Sequence, residues 1–515
     1  VVALWAVVLV LGPYFGALAL LSLASLHRAQ LAWAARRAGR GAAPPTTSTD
    51  DALPEVLVQL PLYDEPFVAE RLLRAAAALD WPRDRLVLQV LDDSTDVTVD
   101  VVARVAHALT ASGVRVEHVR RAARVGWKAG ALAEGLARSR APFVAVFDAD
   151  FIPPPEFLRC AITPLLDDPG LALVQARWLH ANRDASALTR AQALFLDAHF
   201  ALEHGGRAAL GLPFNFNGTA GVWRRSAIDA VGGWSADTLT EDLDLSYRAQ
   251  LAGWRFAYVD ALAVPSELPE RWVDFRRQQA RWAQGSVETA RKLLPRIWAS
   301  ACFTPRQKRA ATLHLAGNAG HGLLAVVALA LPPALVVRAW LTARLPGGPA
   351  LYAALDAIGL GMGLGLLVAF YRAAQRHRAP ECAPRWTDVG LALLVGAGLA
   401  LSSGAAVLRG LRGVRAEFER TPKRGAVAPQ AFARRFARRR TEGVVVAELA
   451  LVATLAVLVP VVVASALWGA LPFVFAWGAG LAWSAAATLR EQRSEARAAQ
   501  AAVAAAPLTS GLRGG

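Results

Sequence analysis

Long, nearly uncharged apolar runs flank one broad stretch in which short apolar runs and charged segments interleave. Residues 1–26 carry no charge, and His27, Arg28, Arg36, Arg37 and Arg40 follow at once. About 20 apolar residues span a bilayer, and basic residues collect on its cytoplasmic side. The pattern predicts a transmembrane helix over 1–26 that ends in the cytoplasm. It reads as an anchor, because a signal peptide would place positive charge before a shorter apolar core. Residues 27–53, with Pro44-Pro45-Thr46-Thr47-Ser48-Thr49-Asp50, read as a linker. Apolar runs return at 311–337, 351–371, 389–408 and 443–489, the last holding two helices broken near Trp468-Gly469-Ala470-Leu471-Pro472.

Residues 54–305 read as a globular domain. Runs at 57–61, 86–91, 114–119 and 143–147 are short and β-rich, and 68–79 and 99–109 carry helical patterns. Such alternation predicts an α/β domain with a doubly wound parallel sheet. Ligands of such sheets sit beyond the carboxyl ends of the strands. Asp64-Glu65, Asp92-Asp93 and Asp148-Ala149-Asp150 all stand there.

Composition sharpens the division. The 515 residues are 55% hydrophobic and 19% charged, with net charge +15, against about 25% charged in an average soluble domain. A single soluble core is excluded. Cys160, Cys302 and Cys382 include no CxxC pair, which excludes a disulfide scaffold and a cysteine-built zinc site. No GxxxxGK[ST] phosphate loop occurs. The basic residues gather at apolar borders without a basic–aromatic module, which argues against nucleic acid.

Charge also selects a topology. Six crossings would put residues 409–442, with Arg434, Arg435, Arg438, Arg439 and Arg440, outside the cell. Five crossings keep that segment cytoplasmic if 389–408 is interfacial or re-entrant, broken at Ser402-Ser403-Gly404. Residues 490–515 then form a cytoplasmic basic tail.

Three local patterns carry chemistry. Asp148 and Asp150 are two apart, so an extended backbone points both to one side. Paired carboxylates of this kind suit Mg²⁺, which takes one or two carboxylates plus substrate phosphates. Thr240 is placed to cap a helix whose first turn holds Glu241 and Asp242; the second acid is a candidate general base. Gln278, Arg281 and Trp282 share one helix face. His314, Asn318 and His321 interrupt an apolar run, as lining of a polar path or as interhelical bonds.

In order and spacing these motifs resemble those of family-2 glycosyltransferases of the cellulose synthase-like type. Phe147-Asp148-Ala149-Asp150, Thr240-Glu241-Asp242 and Gln278-Gln279-Ala280-Arg281-Trp282 resemble its DxD, TED and QxxRW motifs. Asp92-Asp93-Ser94 resembles its first acidic pair, and Lys128-Ala129-Gly130-Ala131-Leu132 its lysine motif. Phe216-Asn217-Gly218-Thr219-Ala220-Gly221 resembles its acceptor segment. Phe418-Glu419-Arg420-Thr421-Pro422-Lys423 resembles its cytoplasmic gating loop FxVTxK, with Arg420 for Val. Asp64 stands where the family usually has Asn. The whole run of motifs resembles most those of plant mannan synthases, xyloglucan-backbone glucan synthases and their bacterial relatives.

The resemblance implies a GT-A nucleotide-sugar-binding domain, its sheet mixed and mostly parallel, set between membrane helices in a multi-pass protein of a bacterial inner membrane. The implied reaction is inverting, processive polymerisation of a β-linked hexose (β-1,4-mannan, glucomannan or glucan), with extrusion of the growing β-glycan. GDP-mannose or UDP-glucose would be the donor and Mg²⁺ or Mn²⁺ the cofactor, held by Asp148 and Asp150. Asp242 would be the base. Asp92, Asp93, Lys128, Gln278 and Arg281 would bind the donor; Trp282, Asn217, Gly218, Thr219 and Glu241 would meet the acceptor. Phe418, Thr421 and Lys423 would close over the nucleotide. The alternatives are a non-processive transferase acting on a lipid such as ceramide or a polyprenyl phosphate, and an inactive scaffold or transporter.

Overall fold

The first apolar run folds as α1 (Gly12–Ala38), preceded by a π-helical turn at Val7–Leu11. The structure is a computed structural model describing residues 5, 7–39, 41, 50, 53–344, 347–414, 421, 423, 425 and 442–504. α1 does not give way to a linker at residue 27. Its last turns keep Leu31, Ala32, Ala34 and Ala35 buried, and they pack onto the globular domain. The approach is close: a Cβ on Gly206 would lie 2.3 Å from the Leu31 carbonyl oxygen.

The four β-rich runs become β1 (Val56–Leu62), β2 (Leu86–Asp92), β3 (Arg115–Arg120) and β4 (Phe143–Val146), each parallel to its neighbour. Three strands that the sequence pattern does not announce complete the sheet: β5 (Leu171–His180), β6 (Gly221–Arg224) and β7 (Arg255–Ser266). The order is β3-β2-β1-β4-β6-β5-β7, and β6 is antiparallel to both β4 and β5. The sheet is mixed and mostly parallel. β2 and β4 are buried throughout, as strands covered on both faces must be.

α2 (Ala69–Ala77), α3 (Thr98–Ala111) and α5 (Phe157–Asp167) cover one face through Leu72, Val102 and Phe157. α4 (Trp127–Ala137) and α7 (Glu241–Leu251) cover the other through Leu132 and Leu245. Register is pinned by a buried amide pair: Gln59 Nε2 donates to Gln89 Oε1 at 3.0 Å across paired positions of β1 and β2. α6 (Ala187–Ala198) runs through a π-helical turn, His199–His204, into Gly205–Ala209. α8 (Trp272–Ala299) follows, and its later residues Leu293 and Ile297 pack with Leu243 and Tyr247 of α7.

After α9 (Pro305–Leu315) come α10 (Gly320–Thr342), α11 (Gly348–Ile358, continuing to His377), α12 (Trp386–Arg412), α13 (Glu442–Ala464) and α14 (Leu471–Ala504). Among the described residues six helices are long and apolar enough to cross a membrane: Val8–Ala38, Gly317–Thr342, Gly348–His377, Trp386–Arg412, Gly443–Ala464 and Trp468–Arg497. The chain is a multi-pass membrane protein. The run at 311–337 is not one helix. Ala311 and His314 belong to α9, started by a capping box between Thr304 and Gln307. His314 Nδ1 lies 2.7 Å from the Tyr247 hydroxyl, and Asn318 Nδ2 donates to Ser286 Oγ at 2.7 Å. His314 thus ties α9 to α7, and Asn318 ties a membrane helix to α8.

The break expected at Ser402-Ser403-Gly404 does not occur, and α12 is continuous there. Small residues serve close packing instead, since a Cβ on Gly404 would fall 2.4 Å from the Ala325 Cβ of α10. Both ends of α12 meet the globular domain. Arg190 of α6 donates to Asp388 at 3.1 Å, and Arg291 of α8 donates to the Gly410 carbonyl at 2.8 Å.

Candidate active site

The ends of β1, β2 and β4 open into one cleft, roofed by α7 and α8. Asp148 and Asp150 leave β4 and both line it. The Asp148 amide donates to Thr219 Oγ1 at 2.9 Å, which locks the strand exit. That locking is what Thr219 does; expected beside the acceptor, it is fully buried and outside the cleft lining. Each acid faces an ammonium group. Lys128 donates to Asp148 at 2.5 Å and to the Gly218 carbonyl at 2.8 Å, and Lys423 donates to Asp150 at 2.9 Å. Burial alone would lower the Lys128 pKa, but Asp148 and Glu241 more than offset this and raise it. The amine stays charged.

Asp242 sits in the first turn of α7 and accepts the Leu243 amide at 2.8 Å. Burial pushes its carboxyl up to about 7; Glu241 adds to the rise, and Lys128 and Arg281 partly offset it. Gly218 makes this approach feasible. Its φ is +79°, and a Cβ there would lie 3.0 Å from Asp242 Oδ2 and 3.4 Å from Lys128 Nζ. Thr240 occupies the N-cap position without capping the helix through its side chain. Its hydroxyl lies 3.1 Å from Thr289 Oγ1, because α8 packs so closely that a Cβ on Gly285 would meet Thr240 Cγ2 at 2.7 Å.

Gln278, Arg281 and Trp282 reach the cleft together from α8. Burial lowers the Arg281 pKa while Glu241, Asp242 and Asp148 oppose the change. Asn217 and Glu241 complete this side.

The first acidic pair divides. Asp93 lines the cleft and takes a two-pronged contact from Arg121, at 2.9 and 2.5 Å. Asp92 does not line it: its carboxylate lies 3.0 Å from His118 Nε2 and accepts the Ser94 amide at 2.9 Å. Burial would raise the Asp92 pKa, yet these bonds hold it below the usual carboxylate range. Asp64 has φ +52°, a left-handed conformation that Asp and Asn both tolerate, and accepts the Thr95 amide at 2.8 Å. Thr421 and Lys423 line the cleft, whereas Phe418 lies outside the described residues.

Sequence reasoning passed over several groups here. Arg124 stacks over the Tyr63 ring at 3.5 Å beside Asp93. Glu267 accepts the Gly425 amide at 3.0 Å, anchoring the segment that carries Lys423. Glu491 of α14 accepts the amides of Trp272 and Val273, capping α8 from the far end of the chain. The pair Arg120-Arg121, where β3 ends, is the one signal available in sequence.

A mixed, mostly parallel sheet whose strand ends bring paired carboxylates and two cations into one cleft is a GT-A type fold. Residues 54–285 match the family described as Glycosyltransferase like family 2. This part of the chain is a family-2 glycosyltransferase domain. Glucomannan 4-beta-mannosyltransferase 2 of Arabidopsis thaliana is 48% identical over 248 residues, covering 47% of this chain and 46% of that protein. Glucomannan 4-beta-mannosyltransferase 1 of Oryza sativa subsp. japonica is 45% identical over 250 residues, covering 48% of each chain. The chain spans about half the length of these relatives. They are plant proteins and lend no support to the bacterial membrane expected from the sequence. A solved mannosyltransferase, PcManGT from Pyrobaculum calidifontis in complex with GDP-Man and Mn²⁺, is 24% identical at TM-score 0.49, covering 70% of this chain and 97% of that chain.

Proposed function

We propose that the protein transfers a hexose, mannose in the first instance, from a nucleoside diphosphate sugar to the non-reducing end of a glycan, with inversion to a β-linkage. The observation that carries this reading is the Asp242 carboxyl, which lines the cleft with Lys128 and Arg281 and which burial pushes up to about 7. Such a group takes a hydroxyl proton at physiological pH, while the two cations face the departing diphosphate. Asp93, with Arg121 and Arg124, holds the nucleoside side; Asp92 positions that loop from behind. Gln278 contacts the diphosphate. Trp282 stacks on the terminal sugar, and Asn217, Gly218 and Glu241 shape the acceptor site.

Asp148 and Asp150 fit a hard divalent cation, Mg²⁺ or Mn²⁺. Both carboxylates line the cleft, and no group of three or more His, Cys, Asp or Glu side chains able to hold a metal occurs among the described residues. Water and phosphate oxygens would supply the other ligands, the usual arrangement for Mg²⁺. When bound, the ion neutralises charge on the leaving diphosphate. Thr421 and Lys423 close over the donor.

The domain faces the cytoplasm, and five helices cross. α12 has 27 residues, about 40 Å of helix, and both its ends are tied to the same domain. A helix so tied lies along the membrane face. The product leaves between the crossing helices as it grows, a processive mode. Donor choice is tested by incubating the purified chain with GDP-mannose and UDP-glucose and a β-1,4-oligosaccharide acceptor. GDP release with a lengthened, mannanase-sensitive product supports the reading. Solvent-extractable glycolipid as the sole product refutes it.

A further inference from the structure

The π-helical turn after α6 places His199 and Glu203 four residues apart with their side chains bonded. π-turns of this kind recur at functional sites. Glu203 accepts from Arg28 Nε of α1 at 2.9 Å through one oxygen and lies 3.0 Å from His199 Nδ1 through the other. Burial would raise the Glu203 carboxyl, but His199 and Arg28 hold it well below the usual range. An ionised carboxylate only accepts, so Nδ1 of His199 donates to it, and an amide NH₂ group only donates, so Nε2 presents its lone pair. That lone pair faces Asn217 Nδ2 at 3.0 Å. His204, whose ring centroid lies 4.4 Å from that of His199, is kept neutral by burial.

The Asn217 amide is thereby oriented. Its NH₂ group serves His199, and its backbone amide donates to Gln175 Oε1 at 3.0 Å. Its side-chain oxygen is buried with no hydrogen-bond partner among the described residues, on a residue that lines the cleft. A buried unpaired acceptor of this kind is costly unless a ligand satisfies it. We infer that His199, held by Glu203 and Arg28, is a positioning residue that fixes Asn217 so that Oδ1 accepts a hydroxyl hydrogen from the acceptor sugar. Turning the amide over would set Oδ1 against the Nε2 lone pair and an NH₂ group toward the sugar. The arrangement selects a hydroxyl that donates. It also links the first membrane helix to acceptor recognition.

This inference rests on the glycosyl-transfer reading of the cleft. Its test is calorimetric titration of the full chain in nanodiscs, first with GDP or UDP and Mn²⁺, then with mannohexaose or cellohexaose. Asn217→Ala and His199→Phe are each expected to weaken oligosaccharide binding about tenfold, the value of one buried hydrogen bond. Nucleotide binding should be unchanged, which also reports an intact fold. His199→Gln, which restores an acceptor for Asn217, should recover most of the loss, and the double variant His199→Phe with Asn217→Ala should bind no worse than Asn217→Ala. Independent, multiplicative losses, no rescue by glutamine, or a wild-type chain that binds neither oligosaccharide would overturn the inference. Normal oligosaccharide binding with no transfer from any sugar nucleotide would instead sink the transferase reading alone.

Discussion

Glu491 Oε1 and Oε2, on α14, accept the backbone amides of Trp272 and Val273 at 2.5 and 3.0 Å. The first amides of a helix have no partners within it, and here the carboxylate that satisfies them lies 219 residues away. Arg271 adds an ion pair to Glu495 of the same helix. The membrane bundle therefore sets where α8 begins, and with it where Gln278, Arg281 and Trp282 stand in the cleft. Glu491→Ala should cost about 1 kcal/mol of stability, as loss of an N-cap does, and reduce turnover more than nucleotide affinity. Glu491→Gln, keeping one acceptor oxygen, should fall between. Steady-state kinetics beside thermal melting checks this; a melting shift with unchanged kinetics would show that α8 keeps its place without the cap.

Gly218 bears on the base more directly. Alanine there must adopt φ near +79° and bring a Cβ to 3.0 Å from Asp242 Oδ2. The left-handed conformation alone costs roughly 1 kcal/mol. Displacing Asp242 by a fraction of an ångström should cost about 100-fold in kcat/KM. Melting should drop only slightly, since the residue sits at a cleft wall. Activity within threefold of the native protein would mean that the segment can yield.

How much of this was readable in sequence follows from distance along the chain. Asp148 with Asp150, and Gln278 with Arg281 and Trp282, are spaced by the strand and helix repeats themselves, so their shared faces could be read locally. Strands β1 to β4 announced themselves as compact apolar runs. β6 has only four residues, and β7 carries Pro265 and is out of step with β5 at Ala176/Arg177, so neither shows a clean period. The partners of Asp92, Asp93 and Asn217 lie on other elements, as does the Thr289 hydroxyl that draws Thr240 from its cap. No local pattern encodes these. The break expected in α12 failed for a related reason: Ser403 is buried and Gly404 meets a neighbouring helix, and that packing outweighs their weak helix preference.

Lys423 and a divalent cation compete for one carboxylate. With Lys423 Nζ at 2.9 Å from Asp150 Oδ2, entry of a metal must displace the ammonium. Lys423→Met should therefore tighten Mn²⁺ binding to the nucleotide-free chain severalfold while slowing transfer. Electron paramagnetic resonance of free Mn²⁺ gives the affinity. Weaker Mn²⁺ binding in the variant would contradict the competition.

The placement of α12 predicts labelling. With Cys302 and Cys382 replaced by serine, cysteines introduced at Arg385 and Gly413 flank the helix. In sealed vesicles of known orientation an impermeant maleimide should reach both from the cytoplasmic face and neither from the other. Opposite accessibility of the two sites would make α12 a sixth crossing.

Asp242 couples activity to stability with a definite sign. Its carboxyl is raised to about 7 in the folded protein, from 3.8 for the unperturbed group. Between those values the folded chain holds a proton that the unfolded chain has released. Stability therefore falls as pH rises through that window, and the penalty is complete above 7. Catalysis runs the other way, since a base must be deprotonated: kcat/KM should climb with pH and level off above about 7. Asp242→Asn removes the charge that burial disfavours. It should abolish transfer, leave nucleotide binding intact, and raise the melting temperature at pH 8, with the gain shrinking toward pH 4. Melting measured at both pH values, beside nucleotide titration, separates the two effects. Near-normal turnover in Asp242→Asn would remove the base assignment, whereas an inactive variant with no gain at pH 8 would mean that the carboxyl titrates as an ordinary exposed acid.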